Sequence, residues 1–290
     1  MREIVISADS VSLTLEKARE YGFNLIPCPI IMDGKTYLDT EIDMDKLYTR
    51  LDTKENLPKT STANIEEILQ FFSRLSQGVK AILHICMSSV FSPQYKNALQ
   101  AKELAREKLP RTRIEVVDSL TIGTGVHFIA IEAAKAAAQG KNMDEIVALV
   151  NGITPRVTAL TARDTLFYYD KGGRIFEAQS WAEAEATTNF RSVVEVDAST
   201  GGTVKPAARA KTIAQIMDKL VEITEEKAGN SNKLHGVIGY TRGADERADK
   251  LKKMLLSKLD FDWLYTAEEG ASVVVHNGRG LLDYTFYHGA

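Results

Sequence analysis

Short polar side chains follow several predicted strands, at the positions where an open parallel sheet forms a ligand site. Asp9 and Ser10 follow the first strand, and Asp118 follows a later one. Segment 88–92 (SSVFS) ends another strand, and segment 59–62 (KTST) precedes a predicted helix. Because ligands bind beyond the carboxyl ends of such strands, these hydroxyls and carboxylates are candidates for contacts with a ligand's polar group.

Ser92 and Pro93 form the most informative pair. Serine at the N-cap and proline at the first helical position predict a helix start. The free N–H groups and partial positive charge of a helix start favour an anion. Together with the hydroxyls of Thr60 and Ser92, they would form a neutral site for one carboxylate or phosphate. The alternative is that Ser92 only caps its helix and Thr60 only ends a loop.

Two further candidates lie in glycine-containing segments of the second half. Segment 171–175 (KGGRI) ends a short predicted helix, and Arg174 offers five fixed donors to an anion or a carboxylate partner. Segment 276–280 (HNGRG) separates two predicted strands, and His276 could cover a ligand's head group. The alternatives are a surface arginine behind a helix end and a histidine in a turn.

The motifs of several enzyme classes are missing from the sequence. Segment 123–125 (GTG) lacks the third glycine of a dinucleotide site, and no Walker lysine follows a glycine-rich loop. The serines of segment 88–92 together with His276 suggest a hydrolase, but the chain has no G-x-S-x-G motif. The two cysteines lack metal-ligand spacing, and no carboxylate cluster indicates a metal. We therefore expect no cofactor and no metal.

The composition indicates a globular chain large enough for two domains. Its 290 residues include 36 Lys+Arg and 39 Asp+Glu, a net charge of −3 that gives no overall basic footprint for nucleic acid. The uncharged runs fall short of the roughly 20 apolar residues that a membrane-spanning helix needs. The N-terminal residues enter a strand without a secretory pattern. We expect a soluble, cytoplasmic protein without a membrane span.

The two halves of the chain differ in their predicted elements. In the first half, strands at 3–8, 24–31, 79–87 and 114–117 alternate with helices at 13–21, 65–76, 93–108, 127–139 and 143–151. In the second, strands at 157–162, 192–196, 203–205, 234–240, 263–266, 272–275 and 281–287 accompany helices at 164–170, 213–227 and 244–258. This pattern predicts a three-layer α/β/α parallel-sheet domain at 1–153 and a smaller two-layer mixed-sheet α/β domain at 154–290.

Taken together, these segments resemble the DegV family of bacterial fatty-acid-binding proteins over nearly the whole chain. The resemblance rests on segments in the family's order and spacing: 8–10 (ADS), 26–30 (IPCPI), 33–39 (DGKTYLD), 58–62 (PKTST), 88–95 (SSVFSPQY), 117–119 (VDS), 171–175 (KGGRI) and 276–280 (HNGRG). Each segment is a weak signal, and their common order carries the assignment.

The resemblance implies a fatty acid enclosed between the two domains, in a protein that is not itself an enzyme. Thr60 and Ser92 match the family's carboxylate-binding threonine and serine, and Arg174 and His276 match residues near the same end of the ligand. The remaining expected ligand-binding residues are Ser61, Ser89, Asp9, Ser10 and Asp118. Some family members present the acid to a separate kinase, so a kinase partner is also implied.

The chain departs from the family pattern in several places. Ala8 stands where the family usually has Thr, residues 93–94 replace Gly-Thr, and residues 277–280 replace Thr-Gly-Pro-Gly. The segment that is usually aliphatic and lines the acyl tunnel here reads WAEAEATT (181–188). Its glutamates could lie on the outer face of a helix, or the tunnel could be shortened, altered or lost.

Three interpretations follow. The first is a binding protein that encloses a fatty acid. The second is an enzyme acting on an acyl or phosphorylated ligand, with Ser92 or Ser89 as nucleophile and His276 as base. The third is a ligand-free regulatory member of the same fold.

Overall fold

The computed structural model describes residues 3–229 and 233–288. Its strands are β1 (Ile4–Asp9), β2 (Asn24–Ile26), β3 (Pro29–Met32), β4 (Lys35–Leu38), β5 (Lys59–Thr60), β6 (Ala81–Cys86), β7 (Arg113–Asp118), β8 (Val157–Arg163), β9 (Arg191–Glu195), β10 (Lys205–Ala210), β11 (Leu234–Tyr240), β12 (Phe261–Glu268) and β13 (Leu282–His288). Its α-helices are α1 (Leu15–Glu20), α2 (Met44–Asp52), α3 (Ile65–Leu75), α4 (Gln94–Lys108), α5 (Thr124–Ala138), α6 (Met143–Ile153), α7 (Phe167–Lys171), α8 (Gln179–Thr188), α9 (Ile213–Ala228), α10 (Asp245–Lys258) and α11 (Ala271–Asn277).

The first sheet has the strand order β2-β1-β6-β7, with all its strands parallel. Helices α1, α5 and α6 pack on one face, and α3 and α4 pack on the other. Every residue of β6 is buried, as expected for a strand covered on both faces. The predicted three-layer α/β/α arrangement is confirmed.

The second sheet is mixed and has the order β10-β9-β8-β13-β11-β12. Its outer face, which includes Leu160, Ile238 and Leu282, packs against α9 and α10. Its inner face packs partly against α5, where the ring of Phe128 lies 5.3 Å from that of Trp263. Helix α5 therefore lies between the two sheets and contacts both. The predicted mixed sheet is confirmed, and the division into domains at 153/154 stays a prediction.

A third, antiparallel sheet with the order β4-β3-β5 stands apart from the other two. The sequence predicts one continuous strand at 24–31. This prediction is wrong, because the segment forms two strands: β2 ends at Ile26 and β3 begins at Pro29. Pro27 and Pro29 flank the break, and neither has an N–H to donate to a continuous ladder. The break places β5, and thus Thr60, beside Ile30.

Helix α11 replaces the strand predicted at 272–275. The sequence there is a short run of β-branched residues, which periodicity alone does not separate from a buried helix. Val274 and Val275 pack in one cluster with Leu47 and Tyr48 of α2. Gly278, at φ +67°, ends the helix. The helix is what places His276 and Asn277 at the ligand cleft described below.

The helix start predicted at residue 65 is observed, whereas the helix predicted from residue 93 begins at Gln94, with Pro93 rather than Ser92 at the N-cap position. Asn64 and Glu67 form a capping box at the start of α3. The Ser92 hydroxyl accepts a hydrogen bond from the N–H of Gln94 at 3.2 Å, which supports the start of α4. Among the described residues, no helix combines the length and the apolar character needed to cross a membrane.

Candidate functional site

A cleft opens between the carboxyl ends of the first sheet and the inner face of the second. Most of the surface that lines the cleft is apolar, including the side chains of Val11, Ile26, Phe91, Ile122 and Val273. The position agrees with the site expected from the strand ends.

The cleft brings together seven of the nine candidate ligand-binding residues. They are Asp9, Ser10, Thr60, Ser61, Ser92, Arg174 and His276. Ser92 is buried just before α4, and Thr60 is half-buried in β5. A group of hydroxyl donors therefore faces one apolar space, although its members come from distant parts of the chain.

His276 is a neutral partner of Thr60. Its Nε2 lies 2.8 Å from the Thr60 hydroxyl oxygen. Burial, together with the nearby charge of Arg174, lowers the pKa of His276 to about 4. The imidazole is therefore uncharged at neutral pH, and it orients the hydroxyl without adding a cation to the cleft.

Arg174 supplies a positive charge at the cleft. Its Nε donates to the carbonyl of Phe91 at 3.1 Å, and its Nη1 donates to the carbonyl of Gly172 at 3.2 Å. These bonds fix the half-buried guanidinium against the loop that leads into α4. Ser92 belongs to the same loop, so the positions of the Arg174 guanidinium and the Ser92 hydroxyl are coupled through it.

Asp9 and Ser10 line the cleft but are largely engaged in holding the structure. The Asp9 carboxylate accepts a hydrogen bond from the N–H of Met87 at 2.8 Å and lies 3.3 Å from Nε2 of His84. The Ser10 hydroxyl donates to Asp39 at 2.6 Å. Burial raises the pKa of Asp39 to about 6. These contacts tie the ends of neighbouring strands together.

Ser89 and Asp118 lie outside the cleft. The N–H of Ser89 faces both carboxylate oxygens of Asp118 at 3.3 Å, and the N–H of Leu120 donates to the same carboxylate at 3.0 Å. Asp118 therefore closes a turn after β7. The serine–histidine pairing of the enzyme interpretation is not observed among the described residues, because His276 bonds to Thr60.

Arg163, Tyr169 and Asp283 line the cleft but were not identified from the sequence. Thr161 and Arg163 alternate with the outward-facing Leu160 and Ala162 of β8, so both point towards the cleft. Asp283 pairs with Thr161 across β13 and accepts a hydrogen bond from the N–H of Thr124 at 2.8 Å. Burial raises the pKa of Asp283 to about 6. The signal available in the sequence was an arginine continuing an otherwise uncharged strand.

The polar segment 181–188 is part of helix α8, and none of its described side chains lines the cleft. Trp181 packs at the edge of the cluster that contains Phe91 and Tyr169. Glu185 accepts hydrogen bonds from the N–H of Leu166 at 2.7 Å and from the Thr165 hydroxyl at 2.8 Å. Glu185 therefore supports the start of α7. Because its carboxylate is engaged there, it adds no charge to the lining of the cleft.

Asp9, His84 and Cys86 are a set of potential metal ligands that sequence spacing did not indicate. Their ligand atoms lie within 4.8 Å of one another, and all three side chains are buried. Asp9 already bonds to Met87 and contacts His84, whose Nδ1 lies 3.0 Å from the Ser7 hydroxyl. Burial raises the pKa of the Cys86 thiol, so the thiolate that a metal prefers is disfavoured. These contacts account for the cluster as internal packing around Asp9.

Comparison with protein families gives a match over most of the chain. The family model described as "Uncharacterised protein, DegV family" matches residues 3–288. A DegV domain-containing protein of Streptococcus pyogenes serotype M1 is 26% identical over 281 residues, which cover 96% of this chain and 95% of the relative. Another, from Caldanaerobacter subterraneus, is 32% identical over 182 residues, 62% of this chain and 63% of the relative.

Solved structures share the fold at low identity. A DegV family protein from Thermus thermophilus, described as fatty-acid-binding, has a TM-score of 0.88 at 21% identity, with 100% of both chains covered. DegV from Bacillus subtilis, also described as a fatty acid binding protein, gives 0.83 at 21% identity and the same coverage. A stearic-acid-binding protein from Eubacterium ventriosum gives 0.86 at 19% identity, covering 99% of this chain and 98% of that one.

Proposed function

The chain belongs to the DegV family, and from the chemistry of its cleft we propose that it binds a long-chain fatty acid whose carboxylate is held by Thr60 and Ser92. The observation that carries the proposal is the combination of an apolar cleft with a few hydroxyl donors at its wall. The relatives of known structure that are described as fatty-acid-binding support it.

The apolar lining supplies the main driving force. Each CH₂ group transferred from water contributes about 0.8 kcal/mol before the costs of association. An acyl chain therefore has ample gross binding energy in a cleft lined by Val11, Ile26, Phe91, Ile122 and Val273. A small polar ligand would leave these side chains without a partner.

The carboxylate must be hydrogen-bonded, because an unpaired charge removed from water costs several kcal/mol. The hydroxyls of Thr60 and Ser92 supply donors, and neutral His276 fixes the orientation of the Thr60 hydroxyl. Arg174 adds a favourable charge near the same group. We propose a binding role without catalysis; presentation of the acid to a kinase and a cytoplasmic location stay predictions.

Native mass spectrometry and thermal unfolding with added oleate test this proposal. We expect a co-purified long-chain acid, and a melting temperature that rises with oleate because a ligand of the native state stabilises it. The double variant Thr60→Ala/Ser92→Ala should keep the fold and lose most of this rise. Ser73→Ala, at an exposed position of α3, is the matched control and should behave as wild type. An unchanged melting temperature of the wild type with every acid tested would refute the proposal.

A further inference from the structure

Arg163 is a fully buried cation that faces the cleft. Its side chain lines the cleft, and the residue is only 1% exposed. None of its three guanidinium nitrogens has a hydrogen-bond partner among the described residues. An unpaired buried charge is strongly unfavourable, so this group calls for an anionic partner.

The side chains around Arg163 hold its guanidinium in place without forming a hydrogen bond or an ion pair with it. Its guanidinium lies over the ring of Tyr169, 4.0 Å from the centroid, which fixes the plane of the fork. Asp283 is the acid on the neighbouring strand, but it accepts a hydrogen bond from the N–H of Thr124. No carboxylate oxygen in the described parts of the chain lies within 4.0 Å of an Arg163 nitrogen.

Arg163 comes from a different element of the fold than the two hydroxyls assigned to the fatty-acid carboxylate. Thr60 lies on β5 of the third sheet and Ser92 lies just before α4, whereas Arg163 lies at the end of β8 in the mixed second sheet. The cleft thus offers an ionisable anchor in addition to the hydroxyl donors. A planar guanidinium with free donors matches a carboxylate through two parallel hydrogen bonds.

We propose that the natural ligand is an acid with a second anionic group, of the α,ω-dicarboxylic type, and that Arg163 binds this second group. The inference rests on the proposed function, because it assumes that the first carboxylate is held by Thr60 and Ser92. A monocarboxylic acid whose only anionic group is held by Thr60 and Ser92 brings no second anion to the free guanidinium donors, to which Asp283 offers its charge but no hydrogen bond.

The test compares saturated α,ω-dicarboxylic acids with monocarboxylic acids of the same carbon number, using isothermal titration calorimetry on delipidated protein. We expect the wild type to bind at least one diacid about tenfold more tightly than its matched monoacid. Arg163→Met, which keeps the length but not the charge, should abolish this preference. Arg163→Lys, which keeps the charge but loses the fork, should reduce it, and serves if the methionine variant fails to fold.

Each outcome has a distinct meaning. Monoacids that bind as tightly as diacids at every chain length overturn the second-anion proposal and leave the fatty-acid proposal standing. A diacid preference that persists in both Arg163 variants also overturns it. If neither class of acid binds, the proposed function itself fails, and this inference fails with it.

Discussion

Thr60 and His276 are 216 residues apart in sequence, and their side chains meet at 2.8 Å across the cleft. The contact joins β5 of the third sheet to the end of α11. It exists because the 272–277 segment is helical and packs against α2. The orientation of a candidate carboxylate-binding hydroxyl therefore depends on a residue from the far end of the chain.

The Thr60–His276 bond predicts a difference between two variants of the histidine. His276→Gln retains a polar group that can reach the Thr60 hydroxyl, whereas His276→Leu removes it. We expect His276→Leu to weaken oleate binding by roughly tenfold and His276→Gln to weaken it less, because only the leucine leaves the hydroxyl without its partner. Titration calorimetry measures both. Equal affinities for the leucine variant and the wild type would show that the bond does not contribute to binding.

A second histidine, His127, predicts a loss of stability at acidic pH. Its Nδ1 accepts a hydrogen bond from the N–H of Leu13 at 2.9 Å, and its Nε2 lies 2.7 Å from the carbonyl of Asp9. Burial lowers the pKa of His127 to about 4, whereas the unfolded chain protonates near 6.5. Between these values the unfolded state binds more protons, so this contribution to the free energy of unfolding falls as the pH drops from about 6.5 to 4.

Chemical denaturation across that pH range checks the His127 prediction against His127→Gln, which does not titrate. The comparison with the variant matters because Asp39 and Asp283, whose pKa values are raised to about 6, act in the opposite direction. We expect the stability advantage of the wild type over the variant to shrink by up to a few kcal/mol towards pH 4. A difference that is constant with pH would contradict the assignment.

Gly123 predicts a strongly destabilising alanine substitution. Its φ is +53°, and a Cβ there would lie 2.0 Å from the Asp283 carboxylate oxygen that accepts from Thr124. Gly123→Ala should cost roughly 2–4 kcal/mol, from backbone strain and displacement of a buried carboxylate. Gly140→Ala is the control: its φ is +83°, but its Cβ would meet open space, so about 1 kcal/mol is expected. Urea denaturation measures both free energies of unfolding. Similar losses for the two variants would show that the Asp283 side chain can move away from the new methyl group at little cost.

Two glutamates of α8 predict different effects on stability. Glu185 accepts two hydrogen bonds from segment 165–166, whereas Glu183 is exposed. Glu185→Ala should cost about 1–3 kcal/mol, because it leaves a backbone N–H unsatisfied. Glu183→Ala should change the free energy of unfolding by no more than about 0.5 kcal/mol. Equal effects of the two substitutions would show that the segment 165–166 is satisfied without Glu185.

The layered fold was predictable because its signals are local. Strands that are fully buried, such as β6, alternate with capped helices, and this pattern is typical of a covered parallel sheet. Helix α11 was not predictable in this way. Its valines favour a strand locally, and only packing against Leu47 and Tyr48 of α2 decides in favour of a helix.

The candidate site was predicted in part. The strand-end rule selected Ser92, which lines the cleft, but it also selected Ser89 and Asp118, which lie outside the cleft and pair with each other in a turn. Arg163 was missed because its orientation depends on which face of β8 meets the first sheet. That relationship arises from sheet–sheet packing, which the sequence of the strand alone does not specify.

Helix α5 occupies one portion of the space between the two large sheets, and the cleft begins beside its first residues, at Ile122 and Gly123. An acyl chain in the cleft would therefore continue the apolar layer that α5 forms between the two sheets. Taking up the lipid would resemble a last step of core formation, with a decrease in heat capacity as its thermodynamic signature.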